Sequence, residues 1–405
     1  MPTRYAMSPW IHQSQASRAP SFPRLRGPRT ADVVVIGGGL TGCAAAYTCA
    51  AAGLDTVLLE SGRMGHGRSG RGAGLMTPDP GLAFRDVTSA HGLKSARRIF
   101  EAWRRGAVDG AALLKRLRIT CALESADALI IARDEQEKIL RRESDARREA
   151  GLDVASLTHK QVQARMRLDA AAGLRLRDGF MLDPHRAALG LAAAAARAGA
   201  SCHEHSLVKK VRFTRKHANV MAEGGTIRAR KVIVATNSAT VQFRSLQRHF
   251  TRREMYMVMT EPIPAPIRRQ VGDPRVALRD MSASPHYVRS ASDDRLLVAG
   301  ADQDETPERL RATVLVQRTG QLMYELLKMY PAISGLRPAY GWEAAYGRTA
   351  DGLPYIGAHR NYPHHVFALG GSPVSVTGAF VAARVLLRAV QDTPDAADEV
   401  FSWTR

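Results

Sequence analysis

Hydrophobic positions along the chain fall into two kinds of run. In the first kind they are continuous: ADVVVIGGG at 31–39, DTVLLE at 55–60 and KVIVATN at 231–237. Apolar runs bounded by glycines or small polar residues predict strands buried on both faces of a parallel sheet. Between the first two lies LTGCAAAYTCAAAG, a small-residue helix expected to end on Gly53, which suits the left-handed position after a helix. Residues 31–60 thus spell strand, tight turn, helix, strand, one βαβ unit of the usual length of about 30 residues. In the second kind of run, polar and apolar residues alternate. SLVKKVRFT, HANVMAEGG and TIRAR predict a small antiparallel meander, and 254–300 reads as antiparallel strands joined by turns.

Helices are expected over 88–118, 134–165, 185–198 and 308–330, the last stopped by Pro331. GWEAAYGRTADGLPYIG and HVFALGG read as strands, and TGAFVAARVLLRAV as a closing helix. The alternation of strand types predicts an α/β fold, α+β overall: a Rossmann-like domain with a parallel sheet, interleaved with an antiparallel-sheet domain. The expected division puts 31–80, 150–250 and 345–405 in the first domain, and 81–149 and 251–344 in the second. Residues 1–30 hold five prolines and no period, which predicts an extended arm on the surface.

Composition adds limits. With 45% hydrophobic and 24% charged residues among 405, the chain is ordinary globular material. The net charge of +20 favours polyanions in general, but the arginines are dispersed, which reads as solvated helix faces; nucleic acid is not favoured as a partner. Cys43, Cys49, Cys121 and Cys202 form no CxxC pair, so neither a disulfide framework nor a structural metal is expected. His203 and His205 lack the acids that would complete a zinc site, and His185 after Asp183-Pro184 reads as a helix-start residue. No segment reaches the ~18 apolar residues of a membrane span, and the first 30 lack a signal-peptide core. The expectation is a cytoplasmic protein that does not engage a membrane.

The chemistry begins at Gly37-Gly38-Gly39-Leu40-Thr41-Gly42, a GxGxxG. Gly37 permits the tight turn, Gly39 lets the backbone approach a pyrophosphate, and Gly42 lets helix and strand pack closely. The amides at Leu40 and Thr41 open a helix whose dipole favours negative charge. Glu60, with Ser61 after it, closes the second strand where an acid would take ribose hydroxyls. An acid there selects against NADP and leaves NAD and FAD. An NAD-linked dehydrogenase would continue into another βα unit; this chain spends the next residues on GHGRSGRGAG at 65–74, a loop of many amides and little bulk that suits a flat ring and its phosphate arm.

With that loop the sequence resembles the D-amino-acid-oxidase-type family of FAD-dependent oxidoreductases, the group of glycine oxidase, sarcosine oxidase and γ-glutamylputrescine oxidoreductase. The resemblance runs from 31 to 390. RMGHGRSGRGAGL is similar to the family's flavin loop, DPHRAALGLAAAAARAGA to its DP…L…A…G helix, KVIVATNSAT to its VVxAxGxxS strand and TADGLPYIG to its TPDGxPxIG. It implies that Arg68, Ser69, Arg71, Gly72, Ala73 and Gly74 hold the flavin, that the backbone of Val208 meets the adenine, and that Ala235, Thr236, Gly370, Gly371 and Thr377 complete the site. It implies oxidation of a C–N bond in a small amine or amino acid by hydride transfer to FAD, followed by hydrolysis of the imine, with oxygen or another acceptor taking the electrons.

The departures from the family pattern shape four expectations. Ala344 replaces the cysteine, and Arg71 the histidine, that hold flavin covalently in some members, so noncovalent FAD is expected. Pro373 sits in the glycine cluster GGSPVSVT at 370–377 and removes an amide donor. Tyr346 stands where glycine oxidase has a carboxylate-binding Arg; Arg348 shares its strand face, and Arg289 with Tyr287 on another strand forms a second candidate pair. The strand LLVA at 296–299 lacks a lysine that aids oxygen chemistry in some oxidases, which favours a different acceptor. The competing reading is a flavin-binding scaffold, or an RNA-associated flavoprotein, with little turnover.

Overall fold

The apolar run ahead of the glycines forms the strand Arg29–Ile36, in which Val33, Val34 and Val35 are fully buried. It lies at the centre of an eight-stranded sheet in the computed structural model of the chain, which describes residues 2–15, 20–291 and 293–405. Its neighbours Thr56–Leu59 and Gly225–Asn237 run parallel to it, and Ser201–His203 and His365–Leu369 extend the parallel order outward. Helices Leu40–Ala51, Pro184–Arg197 and Thr377–Val390 share one buried core with this sheet. Their alanine-rich faces let them approach one another closely. The expected meander is present, with one refinement: TIRAR and KVIVATN form a single 13-residue strand, a hairpin arm at its start and a buried parallel strand at its end.

The second sheet has ten strands, and its order shows it to be mixed. Thr251–Thr260 pairs antiparallel with Pro338–Arg348 and with Arg295–Asp304, as the alternating pattern implies. Arg4–Tyr5 and Val276–Asp280 each enter parallel to a neighbour, because they reach their partners across long stretches of chain and not through hairpins. The helix Arg311–Met329 covers one face through Leu315, Leu322 and Leu326. The other face, with Met255, Met257, Met259, Trp342 and Ala344, packs against the glycine-rich loop around Ala73 and against Val374.

The domain division needs two corrections. Strands within residues 155–181 pair in the ten-stranded sheet, not the eight-stranded one. Helices Phe84–His91 and Leu93–Arg116 bury their apolar faces in the core of the eight-stranded sheet. Apolar periodicity identifies an element without naming the layer it joins.

The N-terminal arm is not extended throughout. Pro9 opens a helix, Pro9–Gln15, where its fixed φ suits the first turn. Trp10 is 6% exposed, and its Nε1 donates to the Gly72 carbonyl at 2.9 Å. The Ser8 hydroxyl donates to the Gly70 carbonyl, and Arg4–Tyr5 joins the edge of the ten-stranded sheet. The arm is thus a strap across the glycine-rich loop. Positions 1 and 16–19 of the expected arm lie outside the described residues. Trp10→Ala is expected to cost about 3 kcal/mol, the scale of a buried Trp truncation, read as a lower urea midpoint in the holoprotein; an unchanged midpoint would mean the strap carries no load.

Candidate functional site

A cavity of about 770 Å3 opens along the C-terminal ends of the parallel strands, within the size range of cofactor sites. The turn into it is built as the glycines require. Gly37 has φ of +109°, and a Cβ there would stand 2.7 Å from the Ala235 carbonyl oxygen. A Cβ at Gly42 would lie 1.8 Å from the Gly37 carbonyl oxygen, so strand, turn and helix meet in backbone contact. Gly39, Leu40 and Thr41 line the cavity at the helix start, where amides have no partner within the helix. The Ser69 hydroxyl accepts from the Leu40 amide at 2.7 Å and ties this turn to the flavin loop. Glu60 and Ser61 line the wall; the Glu60 carboxylate accepts from the amides of Gly38 and Gly62 at 2.7 and 2.8 Å.

At one end Val208 lines the cavity beside Leu207 and Val241, which are 45% and 67% exposed. Exposed apolar side chains at a cavity mouth suit the flat face of a purine. At the other end lie Ala235, Thr236, Gly370 and Gly371. Arg68 donates to the carbonyls of Gly371 and Ser372 at 2.6 and 3.0 Å, and burial lowers its pKa to about 10. Gly72 lines the cavity and sits so near Pro373 that a Cβ would stand 2.8 Å from that carbonyl oxygen. The proline lost an amide, but its carbonyl accepts from the Ala73 amide at 3.1 Å. The altered cluster is therefore docked on the loop. The residues fit a dinucleotide carrying a flavin: a backbone cradle, a helix start for its phosphates, and room from the purine end to the loop.

Besides Gly42, which packs in the turn, four expected cofactor residues stand behind the wall instead of on it. Arg71 donates to the Glu343 carboxylate and carbonyl. Ala73 is fully buried, the Gly74 carbonyl accepts from Arg289, and the Thr377 hydroxyl donates to the Thr77 carbonyl. They shape the loop and the closing helix, which is why the motif includes them.

The four proposed catalytic side chains do not converge. Arg289 is 6% exposed, and its Nη1 donates to the carbonyls of Ala73, Gly74 and Leu182. It is a buried fastener, not a free carboxylate clamp, and burial lowers its pKa to about 10. Tyr346 and Arg348 do share a strand face, but both are drawn to Asp302: the Tyr346 hydroxyl donates to it at 2.8 Å and Arg348 lies 3.8 Å away. Arg253 fills the same carboxylate at 2.8 Å. Tyr287 pairs across strands with Arg279 instead of sharing a ligand with Arg289.

Pro80, Trp103, Phe250 and Arg252 also line the cavity. None sits in a motif, and Trp103 is one apolar position of a long helix, so pattern reading passes over them. Asp183 caps its helix as expected, accepting from the amides of His185 and Arg186 at 2.9 Å. His185 is buried beside His66, and desolvation with that neighbour lowers its pKa to about 4. The four cysteines are free and buried. Among the described residues no helix is long and apolar enough to cross a membrane.

The comparisons agree with this geometry. The family described as DAO, FAD dependent oxidoreductase, matches residues 32–389. γ-Glutamylputrescine oxidoreductase of Escherichia coli K12 is 25% identical over 377 residues, covering 90% of this chain and 85% of that protein. Glycine oxidase of Geobacillus kaustophilus HTA426 is 26% identical over 339 residues, 81% and 84% of the two chains. Among solved structures, glycine oxidase from Geobacillus kaustophilus superposes with a TM-score of 0.76 at 22% identity, covering 93% of this chain and 99% of that one. L-Proline dehydrogenase from P. horikoshii gives 0.74 at 18%, covering 94% and 97%.

Two variants separate fastening from chemistry. Gly42→Ala must displace the turn and is expected to purify without flavin absorbance. Arg289→Met orphans buried carbonyls and is expected to cost about 3 kcal/mol of stability, while the flavin-loaded fraction keeps its substrate KM; a raised KM at unchanged stability would restore Arg289 as a substrate ligand.

Proposed function

This chain belongs to the DAO family of FAD dependent oxidoreductases, and we propose that it oxidises a C–N bond in a small amine or amino acid with noncovalently held FAD. The observation that carries the reading is the single cavity running from the GxGxxG turn to the loop pinned by Arg68. FAD, when bound, supplies the acceptor for a hydride from the carbon bearing nitrogen, and the resulting imine takes up water to release a carbonyl compound and ammonia or amine. The protein's part is to hold, orient and desolvate.

Noncovalent attachment is favoured because no nucleophile stands where some relatives carry one. Ala344 is fully buried, Arg71 is engaged by Glu343, and His66 lies against His185.

For the substrate, the arrangement favours the Arg279–Tyr287 pair over Tyr346 and Arg348, which Asp302 already occupies. Arg279 and Tyr287 face each other across adjacent strands, on the side of the sheet turned to the flavin loop. Burial disfavours the Arg279 charge, but Asp79 and the Tyr287 hydroxyl outweigh it and hold the pKa above the usual value. Gly81 brings the backbone to both: a Cβ there would stand 3.7 Å from the Arg279 Nη1 and from the Tyr287 hydroxyl. Its neighbour Pro80 lines the cavity. A guanidinium beside a phenol hydroxyl suits the anionic end of a substrate.

Under argon, the flavin bands of the purified protein are expected to bleach with one member of an amine and amino-acid panel. Bands that bleach with none of the panel would favour the scaffold reading. Arg279→Ala is expected to raise KM for a carboxylate-bearing substrate roughly 10- to 100-fold, the worth of a hydrogen bond to a charged group, with kcat little changed. Acid precipitation is expected to leave the flavin in the supernatant; a yellow pellet would overturn the noncovalent assignment.

A further inference from the structure

The helix Glu137–Glu149 has the sequence of a solvated charged helix, EKILRRESDARRE, yet two of its charged side chains are buried. Arg147 is 1% exposed and Glu143 5%, one turn apart on the same face. The Arg147 guanidinium lies 4.8 Å from the centre of the Phe100 ring, and its Nε donates to the Glu143 carboxylate at 2.7 Å. Its other two nitrogens reach out of the helix to a single turn of the chain. Nη1 donates to the Asp79 carboxylate at 3.0 Å, and Nη2 to the Leu82 carbonyl at 3.3 Å. Glu143 accepts from the amides of Phe84 and Arg85 just beyond.

That turn is the one that meets the Arg279–Tyr287 pair. The Asp79 carboxylate also accepts from the Gly81 amide at 3.1 Å, which closes the chain around Pro80. Pro80 then lines the cavity, and Gly81, at φ of +80°, lies against the Arg279 Nη1 and the Tyr287 hydroxyl. One guanidinium thus grips both ends of the 79–82 turn, whose middle residues face the site. A buried ion cluster is a poor stabiliser, since packed apolar side chains of similar volume do as well or better. Its presence here points to another use, and the charges supply one. Asp79 is buried and acts on Arg279: burial lowers the Arg279 pKa, and Asp79 is foremost among the groups that raise it. With Arg147 in place, the Asp79 carboxylate is shared between two cations. Without Arg147 it would belong to Arg279 alone.

We propose that Arg147 is a positioning residue of the substrate site: it holds the 79–82 turn and occupies Asp79, which leaves the Arg279 guanidinium free to receive an anionic group. The proposal rests on the reading that Arg279 and Tyr287 bind the substrate. It gives the helix Glu137–Glu149 a part in substrate recognition, through contacts made only in the folded chain.

The test is the affinity of a simple carboxylate. Flavin-loaded protein is titrated with acetate at constant ionic strength, and Kd is read from the change in the flavin spectrum. Arg147→Met keeps a stem beside Phe100 and removes the donors and the charge. Its acetate Kd is expected to rise roughly 10-fold, the worth of a hydrogen bond to a charged group, with Arg147→Lys between it and wild type. Adding Asp79→Asn to Arg147→Met removes the carboxylate that Arg279 would turn to, and is expected to bring Kd back to within about 2-fold of wild type. A loss that the second substitution does not repair would be a purely structural fault and would overturn the proposal. An unchanged Kd in Arg147→Met would overturn it as well. Where Arg147→Met does not fold, Asp79→Asn alone decides. Removing a negative charge beside Arg279 is expected to tighten acetate roughly 3-fold, and an equal or weaker affinity would count against the proposal. Arg279→Ala separates the two readings. If it leaves the acetate Kd unchanged, the substrate reading falls and the proposal with it. If it weakens acetate while Arg147→Met does not, the proposal falls alone.

Discussion

A loop that is half glycine has few side chains with which to fix itself, so its carbonyl oxygens serve as points of attachment beside them. That constraint organises the rest of the structure. From Gly70 to Gly74 every carbonyl accepts from a side chain: Gly70 from Ser8, Arg71 from Trp342, Gly72 from Trp10, and Ala73 and Gly74 from Arg289. The donors come from the strap and from two strands of the ten-stranded sheet, none of them from the eight-stranded one. Glycine loses more conformational freedom on ordering than any other residue, and this set of bonds offsets the loss. The loop is the seam between the two layers, and the bonds that fix it also join them.

The same constraint explains why large, conspicuous residues stand where they do. Trp10 and Trp342 fill the space that a glycine loop leaves empty while their N–H groups reach its backbone. The Arg289 guanidinium lies 5.7 Å from the Trp10 ring, so strap and sheet brace one another as well as the loop. On the far side Arg68 holds the carbonyls of Gly371 and Ser372, and Pro373 accepts from Ala73. Replacement of glycines in that cluster leaves a segment that still closes on the loop.

What was legible in the sequence was local. The βαβ unit, the GxGxxG turn with Glu60, the loop and the meander each lie within a short window, where spacing and residue type reflect backbone geometry directly. Tyr346 and Arg348 were rightly placed on one face, because alternation along a strand is also local. What escaped was made of contacts between distant segments. Nothing near Arg289 shows that three carbonyls from 73–74 and 182 will take its donors. Nothing near Tyr346 shows that Asp302, two strands away, will claim it. In the arm, a proline reads as a breaker by composition, yet Pro9 starts a helix. Trp103 was hidden by its own surroundings, since an apolar helix face looks the same whether or not an indole on it borders a cavity.

The strap makes completion of the site a matter of timing. The Thr3 hydroxyl donates to the carbonyl of Pro338, a sequence separation of 335 residues. At synthesis rates of about 5–20 residues per second, the strap emerges from the ribosome roughly 20 to 70 s before the strand it docks on. Until then the loop lacks Trp342 and the seated strap. Contacts of such high order form late in folding. The nascent chain therefore carries its glycine loop without Trp342, and the seam shuts only after the strand Pro338–Arg348 has been made.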